Sequence, residues 1–346
     1  MHLYSGPTTE FISDTTQNRI TSKLEASFFG HFRFKPPQSE VRSWQQSLRS
    51  MSTALQTGDL TDHGVVLEWQ LPLSSRRLDC MVTGHSHADK AGAVVVELKQ
   101  WEEAAPSAVE DCVTVFMGGR LRDRLHPSKQ VGNYQRYLQD VHTAFSEGEV
   151  DLQACAYLHN LRYDPDAEVY AERHHQLLAT NPCYAGDQLD DLVGFLDGGV
   201  GAGGGLDVLD TVLRGRYRPH KRLLDHTARV IAAEPIFVLL DEQQVAFNTV
   251  LAKVRARQLG PGHSAILIRG GPGTGSRYHS SSPYGLEQRA CRRDCRNRHG
   301  GGSRVGGEGS TGLCTGGRWP ACRQGDRQGV ESGHLSVCSA RADHRG

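Results

Sequence analysis

Between residues 64 and 101 the chain carries three short apolar runs separated by turn residues. Gly64-Val65-Val66-Leu67-Glu68-Trp69-Gln70-Leu71 reads as a strand, and Arg77-Leu78-Asp79-Cys80-Met81-Val82 as a second that ends at Gly84. Ala93-Val94-Val95-Val96-Glu97-Leu98-Lys99-Gln100-Trp101 reads as a third, rich in β-branched residues. From Pro127 the period changes. Val131, Tyr134, Leu138 and Val141 recur at helical spacing behind a Pro near the helix start and Ser128 as a cap. The apolar run Leu152–Leu158 predicts another strand, and Ser264–Arg269 a short one. Gly198-Gly199-Val200-Gly201-Ala202-Gly203-Gly204-Gly205 reads as a flexible linker that divides the chain near residue 200. Helices are expected after it at Leu206–Leu213 and around Lys221–Ala233.

Composition changes this picture mainly at the C-terminal end. Residues 276–346 hold twelve Arg, no Lys and fourteen Gly, with six residues of the Ile/Leu/Val/Met/Phe set. Such a segment cannot bury enough apolar surface to offset chain entropy. Two readings compete for it: a disordered Arg/Gly tail that adheres to nucleic acid, or the product of a reading-frame slip. Cys291, Cys295 and His299 fall in this tail without a second pair to complete a zinc site. The 346 residues suffice for two domains, and the formal net charge of zero argues neither for nor against nucleic acid. No run of 18 apolar residues exists, so no membrane partner is expected. The opening MHLYSGPTTEFISDTT lacks the pattern of a secretory signal. Cys80, Cys112, Cys155 and Cys183 are scattered and read as core residues of a reduced, cytoplasmic protein.

Two constellations carry chemistry. Gly270-Gly271-Pro272-Gly273-Thr274-Gly275 fits the glycine part of the phosphate-cradling pattern G-x-x-x-x-G-K-[ST] and follows a predicted strand. Ser276 stands where the pattern requires Lys, so ATP binding is expected to be impaired or absent. The change in composition begins at that residue. Upstream, Gln243 in Leu239-Leu240-Asp241-Glu242-Gln243-Gln244-Val245-Ala246-Phe247 is placed to read an adenine edge, as in the Q-motif of superfamily 1 helicases; the competing reading is an ordinary amphipathic helix.

The other constellation lies on the predicted strands. Glu97 and Lys99 are two apart, so their side chains leave the same face, and Asp79 is embedded in the neighbouring apolar strand. Asp79 and Glu97, with Glu68 as a further carboxylate, fit Mg²⁺ and its bound water, beside a Lys that steadies developing negative charge. A buried ion pair between Lys99 and either carboxylate is the competing reading. Gln130 and Tyr134 share one side of the predicted helix. His85, His87 and His126 read as loop residues, with metal ligation the competing reading.

The ordered set Asp79, Glu97-x-Lys99 and Gln130-x-x-x-Tyr134 resembles the PD-(D/E)XK nuclease superfamily, and its Q-x-x-x-Y element resembles the RecB-like branch. The order of that region, "YRPHKRLLDHTARV", "FVLLDEQQVAF" and "AILIRGGPGTG" resembles bacterial Schlafen group 3-like DNA/RNA helicases. The resemblance covers residues 1–275 and departs from Ser276 onward, where no later helicase motif is found.

It implies an α/β chain in which residues 1–195 form a nuclease-like mixed sheet with flanking helices. A glycine-rich linker and connector helices would follow at 196–235, then an incomplete P-loop (RecA-like) NTPase start at 236–275, with the disordered tail at 276–346. It implies DNA or RNA as partner, with metal at Asp79, Glu97 and Glu68. Lys99 would serve hydrolysis, and Gln130 and Tyr134 would position phosphates. Gln243, Gly270, Gly271, Gly273, Thr274 and Gly275 would form the nucleotide site. The alternatives are a nucleic-acid-binding module that does not cut and a regulatory NTPase acting on protein partners.

Overall fold

The computed structural model describes residues 1–71, 76–217, 241–258, 264–269 and 336–341. Along the chain, β1 (Tyr4–Pro7) leads into α1 (Thr8–Thr16), α2 (Ile20–Phe32) and α3 (Gln38–Thr57), and these into the strands β2 (Gly64–Gln70), β3 (Arg77–His85) and β4 (Ala91–Lys99). A small sheet of β5 (Ala105–Pro106), β6 (Cys112–Met117) and β7 (Arg120–Leu125) precedes α4 (Pro127–Val141), α5 (Thr143–Ser146) and β8 (Asp151–Leu158). Then come α6 (His175–Thr180), β9 (Cys183–Ala185), α7 (Leu189–Val200) and α8 (Gly205–Arg214). Helix α9 (Glu242–Gln258) and the strands β10 (Ser264–Arg269) and β11 (Ser336–Arg341) follow.

The main sheet has six strands in the order β1-β2-β3-β4-β8-β9. The first four are antiparallel, while β8 and β9 add in parallel to β4. A parallel neighbour needs a crossover, and α4 lies on the one from β4 to β8. The architecture is therefore α/β, a mixed sheet with helices on both faces. Val65, Val82, Val94, Val96 and Leu98 pack with Phe11, Leu24, Trp44, Met51 and Leu196 of α1, α2, α3 and α7. Val66, Met81, Val95 and Ala154 pack on the other side with Val131, Tyr134, Leu138 and Val212 of α4 and α8. The near-continuous apolar runs of β2–β4 reflect burial on both faces.

The glycine cluster behaves differently from the flexible linker expected. Gly198, Gly199 and Val200 form the last turn of α7, and Gly205 opens α8. The turn between them lies against the sheet. A Cβ on Gly84 would stand 2.5 Å from the Val200 carbonyl oxygen, and one on Gly199 would stand 2.8 Å from the Val94 methyl Cγ2. The glycines permit close approach of two backbones, and the packing gained holds them in helix despite their poor propensity.

All four scattered cysteines are buried and free. Among the described residues no helix is long and apolar enough to cross a membrane. Helix α9, from the segment assigned by sequence to the NTPase start, docks on the β6–β7 hairpin. Val245 packs on the cluster of Val109, Cys112 and Leu125, Asn248 Nδ2 donates to the Glu110 carbonyl at 2.7 Å, and Arg255 pairs with the Glu110 carboxylate at 2.9 Å. Strand β10 pairs antiparallel with β11, so six residues of the tail expected to lack structure form a strand. A lone apolar strand presents a row of unpaired backbone groups that an extended segment can satisfy. The helix expected around Lys221–Ala233 lies outside the described residues.

Candidate functional site

The side-chain alternation of β2 and β3 slips at one place. Leu67 packs on the α3 side of the sheet and Trp69, two residues on, packs on the α4 side. On the facing strand Cys80 lies on the α3 side and Leu78 on the α4 side. The register pairs Leu67 with Cys80 and Trp69 with Leu78, which leaves Glu68 and Asp79 opposite one another at the slip. Glu68 has φ +51, a left-handed backbone that costs a non-glycine residue about 1–2 kcal/mol. The β3–β4 pairing also stops there, at Cys80 and Val96. Asp79 fills the opening: its Oδ2 accepts the Leu98 backbone N–H at 2.7 Å, a donor that a regular strand would have satisfied.

Glu97 and Lys99 leave β4 on the α4 side, as their spacing predicts. Lys99 Nζ donates to Glu97 Oε1 at 2.5 Å, and Gln130 Nε2 from α4 donates to the same oxygen at 2.8 Å. Gln130 Nε2 also donates to the Tyr134 hydroxyl at 2.9 Å. Lys99, Glu97, Gln130 and Tyr134 are thus hydrogen-bonded in series, and Asp79 stands near enough for its charge to act on Lys99 and Glu97. Glu68 turns instead towards α3. Its Oε1 accepts from Trp44 Nε1 at 2.8 Å and its Oε2 meets Arg77 Nε at 2.9 Å, so both oxygens are engaged. A cavity of about 30 Å³ lies between Glu68, Asp79, Trp44 and Ser47, room for about one water.

Burial raises all three carboxyls of the cluster, and their mutual repulsion adds to the rise. Burial, and then the Asp79 charge, push the Glu97 carboxyl up to about 8 against the pull of Lys99. Burial likewise raises Asp79 to about 7, with Lys99 opposing and Glu68 adding to the rise. Glu68 is raised to about 7 by burial, opposed by Arg77. Burial works against the Lys99 charge, yet Glu97 and Asp79 carry its affinity for a proton above the usual lysine value. Glu97 Oε2 is buried without a hydrogen-bond partner. Carboxylates that repel each other in a desolvated site, one with an orphaned oxygen, suit a hard cation that keeps several of its waters. No group of three or more His, Cys, Asp or Glu that could hold a metal occurs among the described residues. A cation at this cluster would rest on Asp79 and Glu97, the two raised carboxyls nearest Lys99, and on the orphaned Glu97 oxygen.

Helix α4 is positioned by a residue read as part of a loop. His126 is fully buried and caps α4: its Nδ1 accepts the Ser128 N–H at 3.2 Å, and its Nε2 bonds the Val169 carbonyl at 2.9 Å. Its ring lies 4.4 Å from that of His174. The cap is thus an imidazole rather than the Ser128 hydroxyl, because the chain packs His126 inside where both ring nitrogens find partners.

The site also contains residues that sequence reasoning did not single out. The Tyr134 hydroxyl donates to Asp241 Oδ2 at 2.7 Å, and Arg76 Nε reaches the same oxygen at 2.9 Å. Arg76 also pairs with Glu242, and Arg124 lies 3.8 Å from Glu242. The one sequence signal is Arg120-Leu121-Arg122-Asp123-Arg124, whose alternation places three cations on one face of β7. Gln243 lies half-buried in the first turn of α9. Gly270, Gly271, Gly273, Thr274 and Gly275 lie outside the described residues. Comparison of the chain with protein-family models, with curated proteins and with solved structures gives no match.

Proposed function

We propose that residues 1–217 form a Mg²⁺-dependent phosphodiesterase domain that acts on DNA or RNA. The observation that carries this reading is the hydrogen-bonded series of Lys99 and Glu97 from β4 with Gln130 and Tyr134 from α4, beside Asp79 of β3, whose carboxylate holds the Leu98 amide and interacts with the Lys99 charge. Mg²⁺ at Asp79 and Glu97 would lower the pKa of a bound water and offset charge on the phosphate. Lys99, kept protonated by the two carboxylates, donates to the phosphate oxygen on which negative charge grows. Gln130 holds the Glu97 carboxylate in place by its amide and joins it to the Tyr134 hydroxyl, which donates in turn to Asp241. In hydrolysis a water oxygen bonds to phosphorus and the bond from phosphorus to the leaving sugar oxygen breaks. The water's proton ends on that oxygen or in solvent.

The test is cleavage of labelled DNA and RNA oligonucleotides with Mg²⁺ and with EDTA. Asp79→Asn and Lys99→Met are each expected to lower the rate by about 100-fold or more. Metal-dependent cleavage that survives both substitutions rejects this site. A gripping module without cleavage is a second reading, favoured by the carboxylate of Asp241 already standing on Tyr134; it predicts salt-sensitive binding and no cleavage.

The likeness to Schlafen group 3-like helicases supports a family-level role in ATP-dependent processing of nucleic acid. With Ser276 in place of the phosphate-binding lysine, this chain is expected to show no ATP hydrolysis. An ATP-dependent rise in melting temperature that adenosine does not produce would argue instead for the regulatory NTPase reading.

A further inference from the structure

The start of α9 brings two carboxylates to a cluster of arginines beside Glu97. Asp241 is 8 % exposed and its Oδ2 takes hydrogen bonds from the Tyr134 hydroxyl and from Arg76, while its Oδ1 is buried with no partner. Asp241 sits at φ +46, a backbone conformation that its surroundings must hold in place. Glu242, the next residue, meets Arg76 and Arg124. Arg124 is held below the usual arginine value by burial and by the charges of Arg122 and Arg76, so these cations crowd one another. A continuous path of hydrogen bonds runs from Glu97 through Gln130 and Tyr134 to Asp241 and Arg76.

Guanidinium forks and a tyrosine hydroxyl donate to the oxygens of a carboxylate or of a phosphate with similar geometry. We propose that Arg76, Arg124 and the Tyr134 hydroxyl form a cradle for a backbone phosphate of a nucleic acid, and that Asp241 and Glu242 occupy it in the structure described as the chain's own substitute. The inference deepens the phosphodiesterase reading and rests on it for the class of ligand. It makes α9 a plug. The helix is anchored at its far side by Asn248 and Arg255 on Glu110, and the ligand must displace its first turn to reach Lys99 and Glu97.

The test is fluorescence anisotropy of a labelled single-stranded DNA or RNA oligonucleotide with the full chain in EDTA, where binding is read without cleavage. Asp241→Asn with Glu242→Gln removes both charges and is expected to tighten binding by about tenfold and to steepen its salt dependence. Arg124→Gln added to that pair is expected to abolish the gain. Because the pair touches a buried network, Asn248→Ala with Arg255→Glu provides a route that loosens α9 from a distance. It is expected to tighten binding by about threefold, some 0.6 kcal/mol. Unchanged or weakened affinity in both double variants overturns the proposal, and so does a gain that survives Arg124→Gln. Tightened binding without Mg²⁺-dependent cleavage in any variant keeps the cradle and rejects the phosphodiesterase. Cleavage with unaltered affinity rejects the cradle alone.

Discussion

Lowering the pH should unseat α4 through His126. In the fold this imidazole is neutral, because Nε2 bonds the Val169 carbonyl while Nδ1 accepts the Ser128 N–H, and a proton on Nδ1 would turn that acceptor into a second donor. Burial, with the neighbouring His174 adding to it, lowers the group from 6.5 to about 4. The unfolded chain then binds a proton between those values that the folded chain refuses, so the contribution to stability is complete above pH 6.5 and is lost as the pH falls towards 4. The full difference amounts to ~3.4 kcal/mol, of which ~2 kcal/mol is gone by about pH 5. Carboxylates elsewhere in the chain titrate over an overlapping range. The quantity to measure is therefore the difference in unfolding free energy between wild type and His126→Asn, whose amide retains an N-cap acceptor without a titrating proton. Urea unfolding at about pH 7.5 and about pH 5 gives both values, and carboxylate effects common to the two proteins cancel. Wild type is expected to lose ~2 kcal/mol relative to the variant between those conditions. A difference that stays flat would refute a neutral, capping imidazole at this position.

Three further outcomes follow from the packing and the site. Mg²⁺ is expected to raise the melting temperature of the chain, by the equivalent of ~2.7 kcal/mol at a hundred times its dissociation constant, and Asp79→Asn should remove that rise. A thermal shift that Asp79→Asn leaves whole would place the cation elsewhere. Gly84→Val should destabilise by ~1–3 kcal/mol, since its side chain would press on the Val200 carbonyl 2.5 Å from the new Cβ; wild-type stability in urea would contradict the close approach of α7 to β3. Leu138→Ala, at a fully buried site on α4, should cost ~2–5 kcal/mol by urea unfolding, and a loss below ~1 kcal/mol would mean that α4 is not seated on the sheet.

What the sequence disclosed, it disclosed where chemistry and periodicity coincide. The runs of β2, β3 and β4 are apolar enough to read as strands, and Glu97 and Lys99 share a face simply because a strand has period two. Gln130 and Tyr134 stack because a helix brings every fourth residue round. The first 63 residues were harder. Their three helices present mixed surfaces whose apolar stripes make sense only against the sheet they cover. The glycines of residues 198–205 are flexible on any local scale, and only the approach of β3 and β4 fixes them. His126 belongs to no usual set of capping residues, so its role depends on burial that spacing does not express. Asp241 lies 107 residues beyond its partner Tyr134, and a contact that long leaves no trace in a local window.

The Leu98 amide gives the molecule an internal reporter. Its proton is held by the Asp79 carboxylate at the place where β3 and β4 part, so a single hydrogen bond links the backbone of the sheet to a side chain of the proposed chemistry. Whatever draws charge from Asp79 weakens that bond. The resonance frequency and solvent-exchange rate of one backbone proton therefore register events at the carboxylate cluster, with no label and no substitution. The same bond couples in the other direction. A strain that spreads the strands pulls on Asp79, so mechanical distortion of the sheet and the protonation of that carboxylate are two readings of one equilibrium.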